Sequence, residues 1–251
     1  MFDLLDIFWS LHKFPQECSS PRTGEEIPRL IHAVYGLWDS GPLPWRNRWV
    51  LGGWARKHNT PDWKIVLWGK DTSERFVRHQ FPKYWNMYRS YRRDVQRADF
   101  LRYLLLYHFG GFYIDLDLQC RSALDGLLSE HPEARMLACV ETRLTARRAR
   151  EIGQAEPIRN GKAEIPERVA NYFMACAPGH PVMGNIIDLV EQRAQLPIRR
   201  DYDVIFTTGP DVVTEIVQGF QERKDLALVT ERDAGRFVSH LHFGGWRRDQ
   251  S

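Results

Sequence analysis

Two aspartates two residues apart, Asp115 and Asp117, are the residues whose types and spacing point most directly to chemistry. Alternate side chains of a strand lie on the same face, so an extended segment would hold both carboxylates side by side. Like charges this close repel each other and raise each other's pKa. A hard divalent cation such as Mg²⁺ or Mn²⁺ compensates that charge and can bridge to phosphate oxygens. The pattern therefore predicts a metal site for a phosphorylated ligand.

Asp99 and Arg102 form a second pair of side chains that could bind a ligand. They lie three residues apart in a segment of helical periodicity, so they share one helix face. An exposed ion pair is one interpretation. The other is a site for ligand hydroxyls and phosphate, because a guanidinium contacts pairs of oxygens with a permanent charge. Gly110 and Gly111 are expected to end this helix.

The surrounding pattern predicts the elements that must position these residues. Strands are expected at 30–35, 63–68, 112–119, 136–140, 171–175 and 227–229. Helices are expected at 45–58, 71–79 with Asp71 as N-cap, 97–109, 181–194 and 210–220. This alternation predicts an α/β fold with a mostly parallel sheet. The arginine-rich segment 142–168 is expected to be a long loop.

Composition limits the class of protein. The 251 residues are 43% hydrophobic and 27% charged with a net charge of +3, which indicates a globular chain with no nucleic-acid signature. The four cysteines lack metal-site spacing, so they are expected to be reduced thiols. Neither a bilayer-spanning run nor a secretory signal is found, so a cytoplasmic location and a bacterial or viral source are expected. Residues 1–26 are expected to form a helix and linker, with peripheral contact at the inner membrane face left open, and 27–251 the main domain.

A longer motif includes all four candidate residues. The segment from Asp99 to Asp117 follows the pattern D-x-x-R-Y-x-x-L-Y-x-x-G-G-x-Y-x-D-x-D, and it resembles the sugar-binding segment of glycosyltransferase family 32. Ile27–His32 resembles the opening strand of that family, and His240–Trp246 resembles its closing segment. The resemblance implies a GT-A type nucleotide-diphospho-sugar transferase fold.

The resemblance also implies an activity and a set of roles. A retaining, Mn²⁺- or Mg²⁺-dependent enzyme would move a hexose from a UDP- or GDP-sugar to a glycan, lipopolysaccharide or capsule acceptor, the leaving phosphate helping to deprotonate the acceptor. Asp117 would hold the metal and Asp115 the ribose and metal, while Asp99 and Arg102 would bind the donor hexose and phosphate. A further metal ligand would come from His240 or His242, and the choice between them stays open.

Other residues receive roles from the same resemblance. The first strand, with His32, Ala33 and Tyr35, would hold the nucleotide base, and Trp246 would close over the donor. Asn171 and His180 would lie near the acceptor. The arginine-rich loop is either a grip for an anionic acceptor or a solvated surface. Two rival functions remain: an effector that glycosylates a protein, and a noncatalytic module that binds anionic glycan or nucleic acid and is indifferent to Mn²⁺.

Overall fold

A six-stranded sheet forms the centre of the computed structural model, which describes residues 24–37, 41–143 and 167–243. The spatial order of its strands is β2-β1-β3-β6-β5-β7. A separate two-stranded ribbon pairs β4 with β8. The strands are β1 (Leu30–Val34), β2 (Lys64–Trp68), β3 (Gly111–Ile114), β4 (Leu118–Cys120), β5 (Met136–Arg143), β6 (Glu167–Cys176), β7 (Leu226–Val229) and β8 (Val238–His240).

The sheet is mixed and mostly parallel. Strand β1 pairs in parallel with β2 and β3, and β5 pairs in parallel with β7. Only β6 runs against its neighbours β3 and β5. Helices flank the sheet, so the predicted α/β class with a mostly parallel sheet is confirmed.

Nine α-helices and a short 3-10 helix (Pro82–Tyr84) complete the described part of the chain. The helices are α1 (Trp45–Lys57), α2 (Lys70–Gln80), α3 (Trp85–Ser90), α4 (Asp94–Phe109), α5 (Leu124–Glu130), α6 (Pro181–Arg193), α7 (Asp201–Thr207), α8 (Pro210–Gly219) and α9 (Glu231–Ala234). The prediction of Asp71 as an N-cap is wrong, because Gly69 caps α2 and Asp71 lies inside its first turn. An acidic side chain there is favoured by the helix dipole rather than by capping. Sequence patterning missed the four short helices α3, α5, α7 and α9.

Helix α4 is the central element of the core. Phe100, Leu101, Leu104 and Leu105 are fully buried, and Tyr103 is buried with them. Hydrophobic clusters cover both faces of the sheet, one including residues of α4, α6 and α8 and the other residues of α1 and α5. Burial on this scale fixes α4 rigidly against the sheet, so polar groups on the helix are held at defined positions.

The break between α4 and β3 depends on two glycines. Gly110 and Gly111 have φ values of 67° and 88°, which side chains with a Cβ rarely adopt. A Cβ on Gly111 would lie 2.3 Å from the carbonyl oxygen of Leu30, which is backbone of the neighbouring strand and cannot move away cheaply. These residues therefore let α4 turn directly into a strand packed against β1.

Replacing Gly111 by alanine is expected to destabilise the fold by more than about 2 kcal/mol, from backbone strain plus this clash. Gly52→Ala is the matched control, because a Cβ there would meet only the Arg56 side chain, at 3.6 Å, inside a regular helix. That change is expected to stabilise the protein by up to about 1 kcal/mol. Urea denaturation measures both. Equal free energies of unfolding for the two variants would contradict this account of the turn.

The remaining expectations about the chain have mixed outcomes. The predicted loop 142–168 is too long at both ends, because β5 extends to Arg143 and β6 begins at Glu167; residues 144–166 lie outside the described residues. Cys120, Cys139 and Cys176 are free and buried, as expected of reduced thiols. Residues 1–23, including Cys18, also lie outside the described part. None of the helices described has the length and hydropathy needed to cross a bilayer.

Candidate metal and donor site

Asp115 and Asp117 lie on a tight turn at the end of β3, not along a continuous strand. Strand β3 stops at Ile114, and the N–H of Leu118 donates to the carbonyl oxygen of Asp115 at 3.0 Å. The N–H of Asp115 in turn donates to the carbonyl oxygen of Tyr172 in β6, at 3.1 Å. The predicted strand over 112–119 is therefore wrong at residues 115–117, which form the turn between β3 and β4. The turn still brings the two carboxylates together.

The β4–β8 ribbon delivers a third group to this turn. His240 pairs with Leu118 across the ribbon, and the N–H of Leu241 donates to the carbonyl oxygen of Asp117 at 2.8 Å. The N–H of Phe243 donates to Oδ2 of Asp117 at 3.0 Å. As a result, one potential ligand atom from each of Asp115, Asp117 and His240 lies within 4.8 Å of the others.

The electrostatics of this cluster favour a cation. Burial and the neighbouring charge of Asp115 raise the pKa of Asp117, while His240 and the Phe243 N–H oppose that shift. Burial lowers the pKa of His240, against the pull of Asp117. The 3.5 Å contact between Nε2 of His240 and Oδ1 of Asp117 is therefore no ion pair at neutral pH. Two carboxylates and a neutral imidazole form a donor set that fits Mn²⁺ or Mg²⁺.

His242 does not join the three converging groups. It is exposed, its φ is 53°, and its imidazole packs on that of His240 with the centroids 4.2 Å apart. Its backbone N–H donates to Nδ1 of His240 at 3.0 Å, so Nε2 of His240 carries the ring proton. For Nε2 of His240 to bind a cation, the ring proton would have to move to Nδ1, which could then no longer accept the hydrogen bond from His242.

Arg102 connects the helix α4 to the aspartate turn. Its Nη2 lies 2.7 Å from Oδ1 of Asp99, and its Nη1 lies 3.2 Å from Oδ1 of Asp115. The same Nη1 donates to the carbonyl oxygen of Asn171 at 2.9 Å. The guanidinium also lies over the Tyr113 ring, 4.5 Å from its centroid. Arg102 thus holds Asp115 from the buried side of the turn.

Asp99 is held by three donors. Besides Arg102, Nδ2 of Asn171 donates to Oδ1 and Oγ1 of Thr208 donates to Oδ2, each at 3.0 Å. Asp99 and Arg102 are each only 4% exposed, so the interpretation of an exposed ion pair is wrong. Burial raises the pKa of Asp99 to about 7, against the lowering effects of Arg102 and Thr208. Burial lowers the pKa of Arg102, but Asp115, Tyr113 and Asp99 together raise it by more, so the net shift is upward.

Comparison of the sequence with known families gives a match over the residues of this site. Residues 48–134 match the family model described as a glycosyltransferase sugar-binding region containing a DXD motif. The chain carries the sugar-binding region of the DXD glycosyltransferases. Both aspartates of the turn and the Asp99–Arg102 pair fall inside the matched residues. The resemblance to glycosyltransferase family 32 is confirmed by this match and by curated relatives.

The curated relatives include mannosyltransferases of a yeast. Inositol phosphoceramide mannosyltransferase 1 of Schizosaccharomyces pombe is 34% identical over 124 residues, which cover 48% of this chain and 37% of that protein. Inositol phosphoceramide mannosyltransferase 2 of the same organism is 30% identical over 189 residues, 73% of this chain and 44% of that protein. The chain thus spans less than half the length of these relatives. The solved structure of PaToxG glycosyltransferase covers 87% of this chain and 74% of its own, with 18% identity and a TM-score of 0.47.

The three residues predicted on the first strand lie in different environments. His32 is fully buried: its Nε2 donates to the carbonyl oxygen of Gly110, and its Nδ1 accepts from Nε1 of Trp68. Both ring nitrogens are thus occupied, and the expectation that His32 contacts a nucleotide is wrong. Ala33 is also fully buried. Tyr35 lies half-buried beyond the carboxyl end of β1, where its hydroxyl contacts the carbonyl oxygens of Gly41 and Pro42.

The two predicted acceptor residues lie far apart in the fold. Asn171 belongs to the buried network around Asp99 and Arg102. His180 caps α6 beyond the opposite end of β6, fully buried and 3.4 Å from Asp225, so it cannot serve the same site. Burial lowers the pKa of His180, which keeps it neutral. Trp246 lies outside the described residues.

Several residues of the site escaped sequence reasoning. Thr208 anchors Asp99, and its only sequence signal was the Thr-Gly-Pro start predicted for α8. Asn47 of α1 donates from Nδ2 to the carbonyl oxygen of Leu116, between the two aspartates, at 3.1 Å. Arg168, expected in the arginine-rich loop, is instead buried in β6 and bonded to Asp211 at 2.8 Å. A polar residue that supports another residue carries little signal of its own in a single sequence.

Proposed function

We propose that this protein is a metal-dependent glycosyltransferase of the GT-A type that moves a hexose from a nucleotide-diphospho-sugar to an acceptor hydroxyl. The observation that carries the proposal is the convergence of Asp115, Asp117 and His240 within 4.8 Å. The two aspartates of this cluster lie in the matched sugar-binding region, residues 48–134, whereas His240 lies outside it. A site of this kind suits a diphosphate, because oxygen-rich divalent cation sites commonly bind phosphates through the metal.

The residues of the site divide the work between them. Asp117 and His240, with Asp115, would hold Mn²⁺ or Mg²⁺, whose charge supplies stabilisation to a leaving diphosphate. Arg102 fixes Asp115 at the turn, because its guanidinium bonds both Asp99 and Asp115. Asn171 and Thr208 hold Asp99 in turn. This network of buried ion pairs and hydrogen bonds keeps Asp115 in place, and electrostatic stabilisation of a leaving group requires metal ligands held in this way.

The finer assignment follows the relatives. Two of them are named as inositol phosphoceramide mannosyltransferases, which supports mannose as the hexose and a glycolipid headgroup as the acceptor. A GDP-sugar donor is the first to test and a UDP-sugar the second. We propose retention of anomeric configuration, with the leaving phosphate helping to deprotonate the acceptor.

Thermal unfolding tests this proposal. The protein is heated with GDP, UDP, GDP-mannose and UDP-glucose, each with Mn²⁺ and with EDTA. One nucleotide is expected to raise the midpoint only when metal is present, because a ligand that binds only the native state stabilises it by mass action. At a concentration 100 times its Kd the ligand would add about 2.7 kcal/mol.

Two results of the unfolding experiment would contradict the proposed function. A shift that is unchanged in EDTA would contradict the metal site. If neither metal nor nucleotide changes the midpoint, and an anionic glycan does, the noncatalytic binding module replaces the transferase.

A further inference from the structure

The outer face of helix α1 exposes two tryptophans. Trp45 is 68% exposed and Trp49 is 52% exposed, and with Leu196 they are the large hydrophobic side chains most exposed in the described part of the chain. The opposite side of α1 is buried through Val50, Leu51 and Trp54. Because 3.6 residues make a turn, Trp45, Trp49 and Arg56 lie along one line of the helix, with Arg48 beside them. These four residues are called the tryptophan face.

All the charged side chains of helix α1 are positive. Helix α1 has the sequence WRNRWVLGGWARK, with four basic residues and no acidic one. The basic residues are Arg46, Arg48, Arg56 and Lys57. Tryptophan rings together with lysine and arginine on one helix surface suit the interface of a membrane, where indole rings lie at headgroup depth and cations meet anionic lipid.

Two glycines flatten the same face. Gly52 and Gly53 lie inside α1, where glycine costs stability relative to alanine. A Cβ at either position would meet only the Arg56 side chain, at 3.6 Å or 3.9 Å. Internal packing therefore gives no reason for two glycines. A close approach between the helix and an external surface does.

Helix α1 lies between the tryptophan face and the aspartate turn. On the inner side of α1, Asn47 bonds the carbonyl oxygen of Leu116. At the start of the helix, the Arg46 guanidinium lies 6.0 Å from the centroid of the Phe243 ring, and the Phe243 N–H bonds Asp117. A surface docked on the tryptophan face would therefore lie across the helix from the metal cluster.

We propose that the tryptophan face docks this protein on a membrane that contains anionic phospholipid. The docking goes beyond the proposed transfer reaction and does not need it. If both hold, the docked helix would place the sugar-transfer site one helix diameter, roughly 10 Å, from the membrane surface.

Vesicle sedimentation tests the docking with the full chain. The wild type is mixed with vesicles of phosphatidylcholine alone or with roughly one third phosphatidylinositol, at about 0.1 M salt. Binding is expected only to the anionic vesicles, and it should weaken as salt rises towards about 0.5 M. Trp45→Ala/Trp49→Ala and Arg48→Glu/Arg56→Glu should each lower the binding constant by about tenfold or more.

Matched controls distinguish binding by this face from nonspecific binding through any exposed apolar or basic side chain. Leu196→Ala removes another exposed apolar side chain, and Arg75→Glu/Arg78→Glu reverses two exposed charges on α2. Both controls should bind as the wild type does. The face variants should keep the metal-dependent nucleotide shift, so a failure of docking is distinguishable from a failure of the proposed function.

Three results would overturn the proposal. The first is a wild type that does not bind anionic vesicles at low salt. The second is a tryptophan variant that binds as tightly as the wild type, which would place membrane contact elsewhere on the chain. The third is a face that binds soluble oligosaccharide, or a second copy of the chain detected by sedimentation velocity, with no preference for vesicles.

Discussion

Replacing Asp117 by asparagine is expected to lower donor turnover by about a thousandfold, since metal stabilisation of a leaving group is worth several kcal/mol and each 1.4 kcal/mol is tenfold. Asparagine keeps an oxygen for the Phe243 N–H, which in the wild type bonds Oδ2 at 3.0 Å. The fold should therefore survive while the charge is lost. The assay is release of nucleoside diphosphate from the sugar nucleotide that the unfolding experiment selects, with Mn²⁺ present.

The two histidines of the closing segment provide the matched comparison. His240→Ala removes a group of the metal cluster and should lose activity and the metal-dependent shift in unfolding midpoint together. His242→Asn changes an exposed residue with φ of 53°, a conformation that asparagine tolerates, and should retain both. Equal losses in the two variants would contradict the assignment of His240 as the metal ligand.

Replacing Arg102 by methionine is expected to destabilise the protein by about 3–5 kcal/mol, because a buried carboxyl group would lose its charged partner. Asp99 is 4% exposed and would have to ionise alone or bind a proton. Its pKa, already raised by burial to about 7, would rise further. A carboxyl whose folded pKa exceeds its unfolded value binds protons on folding, so the deficit of the variant should shrink as pH falls from 8 towards 5.

Urea denaturation at several pH values measures this effect. Asp99→Asn in the Arg102→Met background removes the stranded charge and should recover part of the loss. The control is Arg200→Met, which breaks another pair of aspartate and arginine three residues apart, with the arginine side chain 66% exposed. Its cost should stay below about 1 kcal/mol. A similarly small cost for Arg102→Met would show that the buried network does not hold the aspartate turn.

Local pattern was enough to predict most elements of the fold. The spacing of apolar residues predicted α4, and the paired glycines predicted where it ends, because side chains with a Cβ rarely adopt the φ values of 67° and 88° found there. The same local pattern failed for residues 115–117. Alternation of polar and apolar residues is shared by a strand and by a turn between two short strands, so it could not show that β3 ends at Ile114.

The sequence was enough to predict which chemical groups form the candidate site, but it did not predict which residues those groups contact. The Asp-x-Asp spacing pointed to a metal, and the structure brings both carboxylates together. His32 looked equally suitable for ligand contact, and it lies in the core. The sheet is covered on both faces, so the direction of a polar side chain on a strand does not reveal whether it meets solvent.

The sequence by itself determined the chemical groups available at the site, their spacing along α4 and β3, and the α/β class, because these depend on neighbours a few residues apart. The tertiary structure alone decided that His240, and not His242, meets the aspartates, since Leu118 pairs with His240 through the register of β4 and β8. It also decided that Thr208 and Asn171 bond Asp99. Contacts between distant segments depend on how the whole core packs, and no local spacing encodes that.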